Sequence, residues 1–128
     1  MFKLATNPTH TSLGMIIDTA TGRPALGNGG GGLSGRGIHP IAVRAVSDIY
    51  GRIPGVPIVG VGGVTNGLEA LEMILAGASA VQVGTASFAE PRAAYRIAGE
   101  LCRWAERHKI SNWSEIIGLS HRGGFRAS

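Results

Sequence analysis

Apolar positions in the middle of the chain first follow a helical period and then become nearly continuous. From Pro40 onward, apolar residues recur at i, i+3 and i+4, which predicts a helix of about 12 residues that ends near Gly51. The next apolar run, Pro57 to Val61, is short and β-branched, so it predicts a parallel strand covered on both faces. The predicted inner face of the helix consists of Ile38, Ile41, Ala42, Ala45, Val46 and Ile49.

The same alternation of strand and helix continues toward the C-terminus. Asn66 and Glu69 have the spacing of a capping box, and the apolar helical pattern that follows stops at Gly77. Ala80 to Val83 predicts a second short strand, and Glu90 to Lys109 predicts a long amphipathic helix. The predicted inner face of that helix consists of Ala94, Ile97, Ala98, Leu101, Ala105 and His108.

These units predict an α/β fold. The strand starts near Pro57 and Ser79 are separated by about 22 residues, which is close to the minimum for a strand, a helix and a parallel strand. Compact repeats of this kind build (β/α)8 barrels or open doubly wound sheets. We expect one domain over residues 1–128, with residues 1–10 irregular, β/α repeats over 38–109 and a tail over 123–128.

Outside the predicted β/α repeats, the pattern of apolar and polar residues is weaker. Leu13 to Asp18 predicts a short strand or hairpin arm, and Thr21 to Pro24 predicts a turn. The stretch from Gly27 to Gly32 is a loop by composition, and Trp113 to Leu119 predicts one more short helix.

Composition excludes several classes of function. The formal charge is +4, but lysine and arginine are scattered rather than interleaved with aromatic residues, which argues against nucleic-acid binding. The single cysteine, Cys102, provides neither a disulfide framework nor a cysteine metal site, and the histidines lack metal-ligand spacing. No apolar run approaches the length of a membrane span, and no signal pattern opens the chain, so we expect a cytoplasmic protein.

Glycine is abundant and clustered, and the clusters follow the predicted strands. Gly62 and Gly63 end one strand, and Gly84 and Thr85 end the next. Glycine at these ends lets backbone N–H groups approach an anion, a following helix N-terminus adds a favourable dipole, and Thr85 adds a hydroxyl donor. In (β/α)8 barrels, the loops after the last two strands form the common phosphate site. The alternative is that these glycines serve only as tight turns.

A second glycine-rich segment, Gly31 to Gly35, precedes the first helix and is a candidate anion nest, although Ser34 is equally suited to a helix cap or turn. Cys102, in a predicted helix, is interpreted as a packing residue rather than a nucleophile. We find no paired carboxylates placed for acid–base chemistry, no general base and no metal site.

Four segments follow one another in a fixed order: TSLGMIID at 11–18, GGLSG at 31–35, PIVGVGGV at 57–64 and AGASAVQVGTA at 76–86. Together they resemble the C-terminal half of dihydroorotate dehydrogenase, class 1B in particular, and the likeness covers about residues 10 to 122. The resemblance implies a partial TIM (β/α)8 barrel and FMN-dependent oxidation of dihydroorotate to orotate in pyrimidine biosynthesis. It also implies an iron-sulfur FAD electron-transfer subunit as a partner, which passes electrons to NAD.

The resemblance implies FMN phosphate and ribityl contacts at Gly35, Gly62, Gly63, Gly84 and Thr85. The family's substrate-contacting Asn-Thr pair falls on His10 and Thr11. Thr11 matches, whereas the imidazole of His10 lacks the donor and acceptor that an amide offers on one planar end.

The family's catalytic cysteine loop, its flavin-contacting lysine and about five strands have no counterpart, so no catalytic residue is assigned. A partial barrel leaves sheet edges uncovered, and we therefore expect self-association or completion by another chain. Two alternatives stay open: a non-redox phosphate-binding or structural half-barrel, and another flavin barrel such as dihydropyrimidine dehydrogenase or a dehydrouridine synthase.

Overall fold

The computed structural model describes residues 5–6 and 12–125. The strands are β1 (Ala5–Thr6), β2 (Ser12–Gly14), β3 (Ile17–Asp18), β4 (Arg23–Pro24), β5 (Gly31–Leu33), β6 (Ile58–Val61) and β7 (Ala80–Gln82). The α-helices are α1 (His39–Arg52), α2 (Gly67–Ala76), α3 (Ala86–Ala89) and α4 (Ala93–Arg107). Short 3₁₀ helices span Arg36–Ile38, Trp113–Glu115 and Leu119–Arg122.

The main sheet is parallel and has the order β1, β6, β7 among the described residues. Ala5 pairs with Ile58, and Val59 pairs with Ala80, so β6 lies between the other two strands. The strands at Ile58 and Ala80 and the helices α1 and α2 confirm the predicted α/β alternation. The prediction that residues 1–10 are irregular is wrong at Ala5–Thr6, because pairing with β6 over two residues is a long-range contact that the local pattern around Pro8 does not reveal.

A two-part antiparallel arm occupies the chain between β1 and α1. Strand β2 pairs with β5, and β3 pairs with β4 across a turn stabilised by the Asp18 side chain, which accepts from Ala20 N and Thr21 Oγ1. The hairpin expected over Leu13 to Asp18 is therefore confirmed as an arm. The loop expected over Gly27 to Gly32 is wrong at its end, since Gly31 and Gly32 pair with Gly14 and Leu13.

Strand β6 is covered closely on one face only. Ile58 and Gly60 are buried, whereas Val59 and Val61 are half-buried on the other face, so the expected burial on both faces is incomplete. A β-carbon added at Gly60 would lie 3.0 Å from Cβ of Met73, which shows how closely α2 approaches the strand. Both faces of the strand are apolar in sequence, but only the face with Ile58 and Gly60 packs closely on helices, and the other face is half-buried.

The core lies between this sheet and helices α1, α2 and α4. Its fully buried side chains include Val46 from α1, Ile58 from β6 and Met73 from α2. A second cluster joins Leu71, Trp104, Ala105 and Ile116. Because α2 contacts both α1 and α4, it is the central helix of this layer.

Helix α4 confirms the predicted long helix but is rotated about its axis relative to the prediction. Ala93, Ile97, Trp104 and Ala105 are its buried residues, whereas Ala94, Ala98 and His108 are exposed. Trp104 carries the largest apolar surface available to the helix, and turning it toward Leu71 and Ile116 moves the small alanines outward.

Tyr50 at the end of α1 is held between two glycines. A β-carbon added at Gly118 would lie 2.2 Å from Cζ of Tyr50, and one added at Gly77 would lie 2.3 Å from Cγ of the same ring. Gly118 also has a φ of 68°, which disfavours residues with a side chain. The aromatic ring therefore links the ends of α1 and α2 to the C-terminal segment.

We expect Gly118→Ala to lower the free energy of unfolding by about 2 to 4 kcal/mol, through overpacking against Tyr50 and backbone strain. Gly37→Ala is the matched control, because a β-carbon there meets no atom within 4 Å. Urea titration followed by circular dichroism measures both variants. Equal stability of the two would contradict the close contact with Tyr50.

Candidate anion-binding site

The ends of β6 and β7 lie side by side, as the sequence predicts. Val61 and Gln82 are register partners in the parallel pair. Gly62 and Gly63 follow β6 directly, and Gly84 and Thr85 follow β7 after one residue. Because parallel strands end at the same edge of a sheet, the two loops emerge next to each other. Residues 62–66 are called the glycine loop below.

Gly35 reaches the same place from a distant part of the chain. A β-carbon added at Gly63 would lie 2.7 Å from the carbonyl oxygen of Gly35 and 2.9 Å from Cβ of His39. A β-carbon added at Gly35 would lie 3.8 Å from Cγ2 of Thr85. With φ at 66°, Gly63 also has a backbone that favours glycine. The structure thus brings Gly35, Gly63 and Thr85 together.

His39 holds the glycine loop through hydrogen bonds of its buried ring. Its ring is buried, with Nδ1 2.9 Å from the carbonyl oxygen of Gly62 and Nε2 2.9 Å from Oε2 of Glu72. Both partners accept hydrogen bonds, so the ring fixes Gly62 to α2. No local pattern indicates this role of His39, because its partners are 23 and 33 residues away along the chain.

The two strand ends keep donors available for an anion. Within the described part of the chain, no turn or side-chain hydrogen bond uses the backbone N–H of Gly63, Gly84 or Thr85. The Thr85 hydroxyl makes no capping bond to α3, and its side chain is exposed. A β-carbon at Gly84 would meet nothing within 4 Å. Donors without a partner among the described residues, next to open space, are suited to binding a phosphate group.

The N-terminus of α2, by contrast, is already occupied. Asn66 Oδ1 accepts from Glu69 N at 3.0 Å, and Glu100 Oε2 accepts from Gly67 N at 2.5 Å. Glu69 reaches back to Thr65 N rather than to the N–H of Asn66 that a capping box would use. Two of the N–H groups at the start of α2 therefore already bind side chains of the protein, the Asn66 amide and the Glu100 carboxylate, instead of an external anion.

These carboxylates have depressed pKa values. Burial opposes ionisation of Glu69, but hydrogen bonds from the Thr65 hydroxyl and N–H and from Arg36 outweigh it and lower its pKa. The Gly67 N–H, followed by the Arg96 side chain, lowers the pKa of Glu100. Both groups therefore remain anionic while they hold the glycine loop and the start of α2.

The remaining sequence candidates are two histidines, a threonine and a cysteine. His10 and Thr11 are outside the described residues. Cys102 is exposed on α4, and His108 at the end of that helix contacts Trp104 O through Nδ1 at 2.8 Å. Over residues 5–6 and 12–125, no three histidine, cysteine or acidic side chains gather as metal ligands. In the same residues, no helix is long and apolar enough to cross a membrane.

A protein-family comparison matches residues 3–104 to the dihydroorotate dehydrogenase model. This chain belongs to the dihydroorotate dehydrogenase family. The match includes the arm, both strand ends and most of α4, so it spans all the parts of the site described above.

Individual relatives agree with this assignment. The chain is 49% identical over 109 residues to the catalytic subunit of dihydroorotate dehydrogenase B (NAD(+)) from Pelobacter propionicus, covering 85% of this chain and 36% of that protein. For the same subunit from Citrifermentans bemidjiense, identity is 50%, with 85% and 35% covered. The chain thus spans about a third of the length of the curated relatives it matches.

Solved structures show the same partial overlap. The dihydroorotate dehydrogenase of Eimeria tenella in complex with ferulenol gives a TM-score of 0.68 at 37% identity, over 85% of this chain and 30% of that one. The ligand-free enzyme from the same organism gives 0.67 at 41% identity, over 72% and 26%. The fold of this dihydroorotate dehydrogenase family member is therefore shared with a portion of those enzymes.

Acidification is expected to destabilise the chain. Because the folded-state pKa values of Glu69 and Glu100 lie below their ordinary value of 4.5, their contribution is complete above that value and is lost as the pH falls through the lowered pKa values. In Glu69→Gln the free energy of unfolding should fall less steeply as the pH decreases, whereas Glu106→Gln, at an exposed position, should leave that fall unchanged. The free energy of unfolding of the unmodified chain and both variants, measured from neutral pH to about pH 3, tests this. The same pH dependence in all three proteins would refute it.

Proposed function

We propose that this chain supplies the FMN phosphate half-site of a dehydrogenase that oxidises dihydroorotate to orotate in pyrimidine biosynthesis. The observation that carries the proposal is the convergence of Gly35, Gly63 and Thr85, with free donors on the loops after β6 and β7. The family membership and the names of the relatives support the substrate class.

In this proposal the backbone N–H groups of Gly63, Gly84 and Thr85 and the Thr85 hydroxyl bind the phosphate oxygens. Gly35 and Gly62 complete the cradle, because only residues without a side chain allow the ribityl chain to approach the backbone. Bound FMN would supply the redox chemistry, as the acceptor of the electrons of dihydroorotate. Thr11 is the proposed substrate contact, and His10 stands where the family has an asparagine without offering that residue's amide.

The proposal assigns no proton-abstracting group to these 128 residues. His39 is held by Gly62 and Glu72, and Cys102 lies exposed on α4. We therefore expect the chain by itself to bind cofactor without turning over dihydroorotate. Catalysis would need a cysteine-bearing loop and further strands of the kind that the family resemblance implies.

The fold we propose for the complete assembly is a (β/α)8 barrel of which residues 1–128 form the C-terminal part. Two features support an open edge: Ala80 and Gln82 of β7 are exposed, and Tyr95 on α4 is 79% exposed. Among the described residues β7 pairs with β6 alone, and a strand with a free edge, together with an exposed aromatic side chain, favours self-association or completion by another chain. An iron-sulfur FAD subunit and a cytoplasmic location complete the proposal.

A second candidate function is phosphate binding without redox activity, in a structural half-barrel. It is favoured by the absence, among the described residues near the two loops, of a side chain free to act as a base. The two candidates differ in their selectivity for flavin over inorganic phosphate.

Titration of the purified chain with FMN tests the proposal directly. We expect quenching of flavin fluorescence, retention of the yellow cofactor on gel filtration, and its displacement by inorganic phosphate. Binding of phosphate with no flavin retention would support the second candidate. No binding of either ligand would overturn both.

Thr85→Val should weaken FMN binding about tenfold or more, since it removes one hydrogen bond to a charged group and keeps the side-chain volume. Thr19→Val, at an exposed turn position, is the matched control. Both dissociation constants come from the same fluorescence titration. Identical affinities for the two variants would remove Thr85 from the proposed site.

A further inference from the structure

Arg96 on α4 connects the two loops of the proposed phosphate site. Its Nη2 donates to the carbonyl oxygen of Thr65 in the glycine loop at 3.1 Å. Its Nε donates to Glu90 Oε2 at 2.9 Å, and its Nη2 also donates to that oxygen at 2.8 Å. Glu90 ends α3, the helix that starts directly after Thr85. One guanidinium therefore contacts the glycine loop and the far end of the segment that carries Thr85.

A second set of contacts holds the glycine loop in the same place. Arg96 Nη1 donates to Glu100 Oε1 at 2.7 Å, and the other oxygen of Glu100 accepts from Gly67 N. Glu69 Oε2 accepts from both N and Oγ1 of Thr65, each at 2.7 Å. The backbone on either side of Asn66 is thus held by ionised groups from α2 and α4.

The same network extends to the third part of the site. Glu69 Oε1 accepts from Arg36 Nε at 2.9 Å, and Arg36 follows Gly35 in the chain. Gly35 in turn packs against Gly63, as described above. Arg96, Glu69 and Arg36 therefore link the backbones of all three segments that converge on the proposed phosphate.

The contacts of Arg96 and Glu100 do more than stabilise α4. An ion pair at i, i+4, such as Arg96 with Glu100, by itself stabilises only the helix that carries both residues. The bonds from Arg96 to Thr65 and from Glu100 to Gly67 leave the helix and end on the glycine loop and the first residue of α2. The planar fork of arginine fixes the direction of several bonds at once, which a lysine cannot do.

We propose that Arg96 is a positioning residue that sets the spacing between the glycine loop and the Gly84–Thr85 loop, so that donors on both reach one phosphate group. This inference rests on the proposed function. A fixed spacing matters because backbone donors contribute to anion binding only when several point at the same oxygen cluster.

The test compares FMN with riboflavin, which has the same ring and ribityl chain but no phosphate. The dissociation constant of riboflavin divided by that of FMN measures the contribution of the phosphate site alone. We expect Arg96→Gln to reduce this ratio about tenfold while the riboflavin constant stays within about twofold, which corresponds to about 1.4 kcal/mol lost at the phosphate. Arg96→Lys should lose most of the same preference because it lacks the fork.

Two further variants separate positioning from folding. Glu90→Gln removes the charge that links Arg96 to α3 at a half-exposed side chain, and we expect it to lower the ratio without a loss of helicity. Arg52→Gln, at an exposed position on α1, removes a positive charge as Arg96→Gln does and should leave the ratio unchanged. Circular dichroism verifies the fold of each protein before titration.

The possible outcomes are distinct. An unchanged ratio in Arg96→Gln and Glu90→Gln, or an equal weakening of FMN and riboflavin, overturns the positioning role and leaves the proposed function intact. If the unmodified chain binds both flavins equally, the proposed function itself fails and this inference fails with it. A selective loss of FMN affinity in both variants supports the role. If Arg96→Gln does not fold, Glu90→Gln decides between these outcomes.

Discussion

The parallel pairing of β6 with β7 is the constraint on which the candidate site depends. Val61 and Gln82 are register partners, so the chain leaves the sheet at the same level twice. The pairing is held from the helix side, where Ile58 is fully buried and Gly60 allows α2 to approach through Met73. A slip of one residue would turn Ile58 away from the core and separate the two glycine ends, which makes the register costly to change.

The proposed site relies on neutral donors. Its proposed donors are backbone N–H groups and one threonine hydroxyl, while the nearby charged side chains are bound to one another. Carboxylates of Glu69 and Glu100 take up the donors around the start of α2, and this leaves the loops after the strands as the place for an anion. The net charge of +4 is thus not concentrated at the site but distributed through ion pairs and exposed side chains.

Local patterns predicted most of the regular elements correctly. The i, i+3, i+4 spacing after Pro40 and the cap at Asn66 depend on interactions within a few residues, and α1 and α2 have the bounds expected from them. The inner face of α4 was mispredicted because it depends on which partner the helix meets. Trp104 packs against Leu71 and Ile116, and this contact turns Ala94 and Ala98 outward. Strand β1 was missed because two residues carry no periodicity, and they pair with β6, which lies far along the chain.

The sequence by itself determined the α/β class, the family, and the strand ends at Gly62–Gly63 and Gly84–Thr85. Each of these can be recognised from short runs of neighbouring residues. Tertiary structure decided how the site is held together. His39 contacts Gly62 and Glu72, and Arg96 contacts Thr65, across separations of 23 to 33 residues. Contacts over such distances arise from the packing of α1, α2 and α4 around the sheet. No local spacing encodes them, because the pairing of polar side chains depends on which helix faces meet after the core has formed.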